Sequence, residues 1–189
     1  MSTRIVLEDG SYRAIIEETS LTAEAINPGD HNPGELTKAV RVESISQTGS
    51  CSIIILCSYM SDLENAALLK GNQLILMLND ELYRINMDDC IVQHYKQLNI
   101  MGSTFGLYEA SQGYIVHGEL DILMLDSNFE LLWDFSGRDI FVSVTGKTAF
   151  ILTDTTIQLF DFEDNYYEID LNGRLVNQRL NKRKTMQKR

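Results

Sequence analysis

The sequence predicts a mainly β protein built from antiparallel four-stranded meanders. The stretch from Gly71 to Gln178 contains three copies of one pattern, in which apolar strands alternate with short turns. The apolar anchors of each copy are eight residues apart and are Leu74 and Leu82, Tyr114 and Ile122, and Ala149 and Ile157. Turn signals separate the strands, and the Asn-Gly pair at 172–173 is the strongest of them. Self-similarity of this kind indicates a repeat architecture.

The repeats are predicted at residues 73–110, 114–144 and 148–178, so that successive anchors are 40 and 35 residues apart. Four strands joined by tight turns form each repeat. Thr104–Ala110 is predicted as the last strand of the first repeat, and Asp139–Val144 as the last strand of the second. The meander therefore has the length of a propeller blade.

Residues 1–60 precede the repeats and predict four more strands, near 4–8, 11–18, 39–46 and 51–59. Short runs of β-branched and aromatic residues bounded by turn signals are typical of strands. Residues 27–37 interrupt them and hold both prolines of the chain, Pro28 and Pro33, each followed by glycine. We expect an exposed loop there, because proline cannot donate to a strand ladder.

One short helix is predicted near residues 62–70. Ser61 is a suitable N-cap, and Glu64 three residues later completes a capping box. Gly71 is well placed to end the helix. A helix this short needs to pack against the rest of the protein to persist.

The segment YIVHGELDILMLDSNFELLWDF (114–135) resembles a blade repeat of the quinoprotein-like β-propellers. In that family an apolar strand ends in Leu-Asp, a turn follows, and the next strand ends in Trp. Leu125-Asp126 and Leu132-Trp133 occupy these places, and Phe129 replaces the usual turn glycine. EIDLNGRLV (168–176) carries a similar turn. The resemblance concerns the fold over about residues 73–178 and brings no residue set for quinone binding.

The expected architecture is therefore propeller-like, with about four blades if the N-terminal strands supply one, or an open stack of three. A sandwich is the other arrangement that the meanders allow. Residues 1–179 are predicted as a single all-β repeat domain. Residues 180–189 hold five basic and no acidic side chains and are predicted to be a flexible tail.

Composition and charge indicate a soluble protein, which we expect to be cytoplasmic. No signal peptide and no membrane span is predicted, since the apolar runs are short. The three cysteines, Cys51, Cys57 and Cys90, show no CxxC spacing and are expected to be small buried thiols. The net charge is −11, and the part before Arg174 carries 9 basic against 27 acidic residues. Such a body favours basic partners and repels nucleic acid, except through the tail.

The sequence shows no catalytic motif, so an enzymatic role is left without support, and no metal or cofactor is predicted. The three histidines, His31, His94 and His117, lack metal-site spacing. Carboxylates are dense in the last two repeats: Asp121, Asp126, Asp134, Asp139, Asp154, Asp161, Glu163, Asp164, Glu168 and Asp170. Most fall at strand ends and turns, where aspartate bonds nearby backbone N–H groups.

Two functions from different classes follow. The first is a non-catalytic protein-interaction module with an acidic surface that binds a basic protein. Its predicted partner-binding residues are Glu163, Asp164, Tyr166, Tyr167 and Glu168, because adjacent tyrosines point to opposite faces of a strand and one must face outward. The alternative is a small-ligand-binding protein or hydrolase that uses carboxylates in a propeller-like cleft.

Overall fold

The structure, a computed structural model, describes residues 4–32, 37–58, 65–143, 146 and 148–181. Its strands form four antiparallel four-stranded sheets, and in each sheet the strands lie in chain order. The predicted mainly β meanders are therefore confirmed, and the N-terminal strands supply one of the four sheets. No helix in these residues is long and apolar enough to cross a membrane.

The sixteen strands belong to the sheets as follows. The first sheet contains β1 (Arg4–Asp9), β2 (Tyr12–Thr19), β3 (Lys38–Ser46) and β4 (Gly49–Cys57). The second contains β5 (Ala67–Lys70), β6 (Gln73–Leu78), β7 (Glu81–Asn86) and β8 (Ile91–Gln97). The third contains β9 (Thr104–Ala110), β10 (Gly113–Gly118), β11 (Asp121–Leu125) and β12 (Leu131–Ser136). The fourth contains β13 (Phe150–Leu152), β14 (Thr156–Phe160), β15 (Tyr166–Asp170) and β16 (Leu175–Arg179).

The prediction of a helix near residues 62–70 is wrong for the residues of that range that the structure describes. Residues 67–70 form β5 and pair with β6, with Ala67 opposite Leu76 and Lys70 opposite Gln73. Residues 62–64 lie outside the described part. The capping signals at Ser61 and Glu64 are local, whereas β5 gains a full ladder of hydrogen bonds and the burial of its apolar side chains.

The first two predicted repeats are displaced by one strand, whereas the third, at 148–178, coincides with the fourth sheet. Thr104–Ala110, predicted to end the first repeat, is the first strand of the third sheet. No strand is found over residues 139–143, where one was predicted. The anchors Leu82 and Ile122 lie on the third strands of their sheets, but Ile157 lies on a second strand. Apolar strands of similar length look alike in sequence, so the anchors did not identify which strand begins a sheet.

Hydrophobic clusters join consecutive sheets. One buried cluster packs the first sheet against the second and includes Val42 and Leu76. Another joins the second and third sheets around Met77 and Phe129, and a third joins the third and fourth around Met124. Each sheet therefore has a forward face toward the next sheet and a backward face toward the preceding one. Burial of these apolar faces is the main stabilising contribution to the stack.

The turn between the third and fourth strands recurs in three sheets, and we call residues 86–90, 126–129 and 170–173 the junction turns. A side-chain oxygen at the start of each accepts backbone hydrogen bonds. Asn86 accepts from the N–H of Asp88 at 3.0 Å, and Asp126 and Asp170 each accept from two N–H groups at 2.7–2.9 Å. These carboxylates are therefore turn caps.

Each junction turn contains a residue with positive φ, namely Cys90 (56°), Phe129 (62°) and Gly173 (76°). Phe129 thus adopts the conformation that glycine would favour, as its place in the repeat suggests, while its side chain is fully buried. A β-bulge follows between the third and fourth strands of all three sheets. Bulges re-aim side chains and increase local twist.

Each junction turn accepts a hydrogen bond from the sheet that precedes it in the chain. The carbonyl of the turn's second residue accepts a hydrogen bond from that sheet: Met87 from the Ser44 hydroxyl at 2.6 Å, Ser127 from the Arg84 guanidinium, and Leu171 from Trp133 Nε1 at 3.1 Å. The residue with positive φ also contacts the preceding sheet's outer strand. His94 lies 5.1 Å from the Phe129 ring, measured between ring centroids.

At the first junction this contact is covalent, because Cys51 and Cys90 form a disulfide that joins the first and second sheets. The prediction that all three cysteines are small buried thiols is therefore wrong for these two and holds for Cys57, which is free and buried. Sequence spacing gave no indication of the bond, since β4 and the turn at 86–90 meet only when the first two sheets pack together.

We expect Cys51→Ser or Cys90→Ser to lower the free energy of unfolding by about 3–4 kcal/mol, because the bond closes a loop between residues 39 apart. Urea unfolding with and without reductant measures this. Reductant should destabilise the wild type and the Cys57→Ala control, and should leave the two serine variants unchanged. Equal stability of the wild type in both conditions would contradict the assignment.

Gly173→Ala should destabilise the protein by about 3 kcal/mol, since a strained φ costs about 1 kcal/mol and overpacking adds roughly 2 kcal/mol. A Cβ at Gly173 would lie 2.7 Å from the Trp133 ring. Gly146→Ala is the matched control, because Gly146 has a φ of 77° and open space around it. Thermal or urea unfolding of both variants checks the difference, and equal losses would argue against the Trp133 contact.

Candidate functional site

The two sides of the stack differ in the length of their connections. On the hairpin side, the first strand of each sheet turns into the second and the third into the fourth through turns of two to five residues. The opposite side, which we call the crossover side, carries the described parts of the connections between sheets, at 65–66, 98–103, 137–143 and 148–149, and also residues 20–32. Long connections on a rigid scaffold are the usual place of binding residues.

Backbone hydrogen bonds make the crossover side continuous across three sheets. The N–H of Leu98 donates to the Asp80 carbonyl at 2.6 Å, and the N–H of Glu119 donates to the Ser103 carbonyl at 2.8 Å. Phe141 then donates to the Glu119 carbonyl at 2.7 Å. The connections are therefore held to the turns of adjacent strands and form an ordered surface.

Half-exposed carboxylates line this surface, and they are Asp80, Glu119, Asp139, Glu163 and Asp164. The last two belong to the predicted partner-binding set and lie in the turn between β14 and β15. Asp164 has a φ of 64°, which an aspartate tolerates better than most residues. The crossover side of the second to fourth sheets therefore presents mainly negative charge.

Tyr166 and Glu168, also predicted to bind a partner, lie together on the forward face of the fourth sheet. The Tyr166 hydroxyl donates to Glu168 Oε2 at 3.2 Å. The Tyr166 ring is only 9% exposed, because the Phe160 ring lies beside it and the Arg179 guanidinium lies 4.6 Å above its centroid. Burial raises the pKa of Tyr166, and the nearby Glu168 carboxylate raises it further.

Tyr167 is separated from the other predicted residues, because it points to the backward face of the fourth sheet. It is 2% exposed within the third hydrophobic cluster. Its hydroxyl donates to the buried Asp161 carboxylate at 2.9 Å and accepts from the Arg138 N–H at 3.0 Å. Burial raises the pKa of Tyr167 to about 12, so this residue is a core element.

The dense carboxylates do not converge into one cleft among the described residues. Asp126 and Asp170 cap junction turns, Asp161 caps the turn at 161–165, and Asp121 accepts from the Ser136 hydroxyl at 2.5 Å. No group of three or more His, Cys, Asp or Glu side chains that could hold a metal ion is found in the described part of the chain.

A buried polar cluster was missed by the sequence analysis. Glu81, whose side chain is fully buried, accepts from the Tyr95 hydroxyl at 2.8 Å and lies 2.9 Å from His31 Nε2. The side-chain oxygen of Asn27 accepts a hydrogen bond from the His31 N–H at 2.8 Å and so holds His31 in place. Residues 27–32 form a loop, as predicted, in which Pro28, Asp30 and Asn32 are exposed while His31 ties the loop to the second sheet. Burial and then the Glu81 charge raise the pKa of the neighbouring Cys57 to about 12, so this thiol is unreactive.

His117 is a second buried titratable group, between the third and fourth sheets. It is 6% exposed, stacks on Phe150 at 4.8 Å and meets the edge of Phe105 at 5.3 Å. Burial lowers the pKa of His117 to about 4, although a hydrogen bond with the Phe141 backbone opposes the shift. The side chain is therefore neutral in the folded protein at neutral pH.

The unfolded chain binds a proton at His117 near pH 6.5, whereas the folded protein does so near pH 4. The stability linked to His117 is therefore present above pH 6.5 and is lost as pH falls toward 4, by up to about 3 kcal/mol. His117→Leu should remove this part of the pH dependence, and His94→Gln should retain it. Urea unfolding between pH 7 and pH 4 measures the effect, and parallel curves for the wild type and His117→Leu would refute it.

The fold is shared with solved structures. Apo AztD from Citrobacter koseri aligns over 95% of this chain with a TM-score of 0.51 and 13% sequence identity. BamB from Moraxella catarrhalis aligns over 95% of it with a TM-score of 0.39 and 10% identity. AztD is a β-propeller protein, so the predicted resemblance to propeller blades is confirmed at the level of fold. The chain spans 60% of the length of AztD and 77% of BamB. No protein-family model and no curated protein matches the sequence.

Proposed function

We propose that this protein is a non-catalytic interaction module that binds a basic protein segment on its acidic crossover side. The observation that carries the proposal is the continuity of that side across three sheets, with Asp80, Glu119, Asp139, Glu163 and Asp164 half exposed along it. The carboxylates that cap the junction turns are already bonded to the backbone and serve the fold. Those on the crossover side are half exposed, although Glu119 and Asp139 also accept backbone N–H groups.

The scaffold suits recognition, because hydrogen bonds hold the connections in place before a partner arrives. Preorganised loops lose little conformational entropy on binding. Opposite charge on the partner would accelerate association and weaken it at high salt. The acidic body, with 27 acidic residues in a net charge of −11, disfavours nucleic acid on the same surface.

The test uses a fluorescent peptide rich in arginine and lysine as the probe and measures its Kd by anisotropy. Replacing Glu163→Gln together with Asp164→Asn should weaken binding by about five-fold, since each exposed ion pair contributes roughly 0.5 kcal/mol. Asparagine tolerates the positive φ of Asp164, so the turn should be kept. Raising the salt concentration should weaken binding of the wild type more than binding of the variant.

The matched control removes two charges from the hairpin side, as Asp89→Asn together with Asp154→Asn. This variant has the same net charge as the test variant and should bind the peptide within about two-fold of wild type. Equal losses in both variants would show that net charge alone attracts the peptide. Binding that is indifferent to salt and to both variants would also overturn the proposal.

A further inference from the structure

The last described residues of the chain bind the turn between β14 and β15. The N–H of Asn181 donates to Asn165 Oδ1 at 2.8 Å, and its side-chain amide donates to the Glu163 carbonyl at 3.0 Å. Asn165 is only 3% exposed, and its own side-chain amide donates to the buried Asp161 carboxylate at 2.8 Å. Leu180 packs against the third hydrophobic cluster just before this anchor. The chain therefore leaves the fourth sheet at a fixed point on the crossover side.

A basic residue of the same stretch already contacts the predicted partner-binding set. The Arg179 guanidinium lies 4.6 Å above the centroid of the Tyr166 ring, and the Tyr166 hydroxyl donates to Glu168. A cation over an aromatic ring beside a carboxylate is favourable on both counts. The described end of the chain is thus seated where a basic partner was predicted to bind.

Residues 182–189, which we call the basic segment, follow directly and lie outside the described part of the structure. They include five cations and no acidic residue: Lys182, Arg183, Lys184, Lys188 and Arg189. Because each residue spans at most about 3.5 Å, the first three cations stay within about 10 Å of Asn181 along the backbone. Asn181 is bonded to the turn that contains Glu163 and Asp164, so these cations lie close to the two carboxylates.

Hydrogen bonds extend the carboxylate surface from this turn to the third sheet. The N–H of Phe162 donates to the Ile140 carbonyl at 2.8 Å, next to Asp139. The N–H of Phe141 donates in turn to the Glu119 carbonyl at 2.7 Å. An extended stretch of eight residues covers up to about 28 Å, so the basic segment is long enough to follow these carboxylates from the fourth sheet to the third.

We infer that the basic segment lies along the acidic crossover side of its own chain and occupies the surface on which a basic partner binds. The inference rests on the proposed function and adds that the partner has to displace this segment. Tethering gives the segment an effective concentration on the order of millimolar. A partner that succeeds therefore presents a longer basic run than Lys182–Lys184 or adds apolar contacts to it.

The direct test attaches a nitroxide through maleimide at position 186 of the whole chain, using Met186→Cys. Cys57 is buried and the other two cysteines form a disulfide, so only the new thiol reacts. At low salt the label should broaden the amide NMR signals of Glu119 and Asp139 more than that of Asp154 on the hairpin side. At about 1 M salt, where the Debye length is about 3 Å, this broadening should fall at least about two-fold.

Broadening that salt leaves unchanged would show that tethering alone brings the label near the crossover side, and would overturn the inference. Equal broadening on the crossover and hairpin sides would also overturn it. The Glu163→Gln variant with Asp164→Asn should reduce the broadening at Glu119 in low salt, because it removes the carboxylates nearest to the anchor.

Displacement is tested with the same fluorescent peptide rich in arginine and lysine. Lys182→Gln together with Arg183→Gln should strengthen peptide binding by about five-fold, since it removes two cations that compete for the surface. Arg13→Gln together with Arg174→Gln is the matched control, because it removes the same charge from the hairpin side. The control should bind within about two-fold of wild type, and equal changes in both variants would refute displacement.

The two experiments separate this inference from the proposed function. A peptide that binds wild type and the variant of the basic segment equally, with broadening indifferent to salt, would overturn the inference and leave the proposed function in place. Broadening that is sensitive to salt, with no peptide binding to any variant, would overturn the proposed function and displacement, and would leave only the contact of the segment with its own chain.

Discussion

The fold depends on a capped turn that holds one residue at positive φ and offers a carbonyl to the preceding sheet. Asn86, Asp126 and Asp170 cap the three junction turns. Each cap accepts from backbone N–H groups within the turn or just after it, which holds the turn in one conformation. The same geometry directs the second carbonyl of the turn toward a donor on the preceding sheet. The same capped turn therefore completes the local hydrogen bonding and binds the preceding sheet.

The chemistry at each junction differs although its geometry is repeated. The first uses a disulfide between Cys51 and Cys90, the second uses a tilted contact between the His94 and Phe129 rings, and the third places Trp133 on Gly173. Only the third junction pairs a large side chain with a residue that has none, because a Cβ at Gly173 would lie 2.7 Å from the Trp133 ring. A repeat of geometry with variation in composition explains why the internal similarity in sequence is weak.

The acidity of the chain has two separate causes. One group of carboxylates serves as caps at strand ends, where an oxygen acceptor close to the backbone is required. Another group lies on the crossover side, where Asp80 accepts from the Gln97 side-chain amide at 3.2 Å and Glu119 accepts from the Ser103 N–H at 3.1 Å. Polar groups also fasten the long connection after β2, since Glu81 and His31 meet beneath it. A buried carboxylate is tolerated there because its oxygens are paired.

The sequence by itself determined the strands, the turns and the repeat, because these depend on patterns within a few residues. The period of apolar residues predicted β2, β6, β10 and β15, and Tyr166 and Tyr167 point to opposite faces of β15 as alternation requires, although both are buried. Tertiary structure decided between alternatives that the sequence pattern could not distinguish. It made β5 a strand, assigned Thr104–Ala110 to the third sheet and joined Cys51 to Cys90. Each of these depends on contacts between segments distant in sequence, whose free energy is larger than the local preference it overrides.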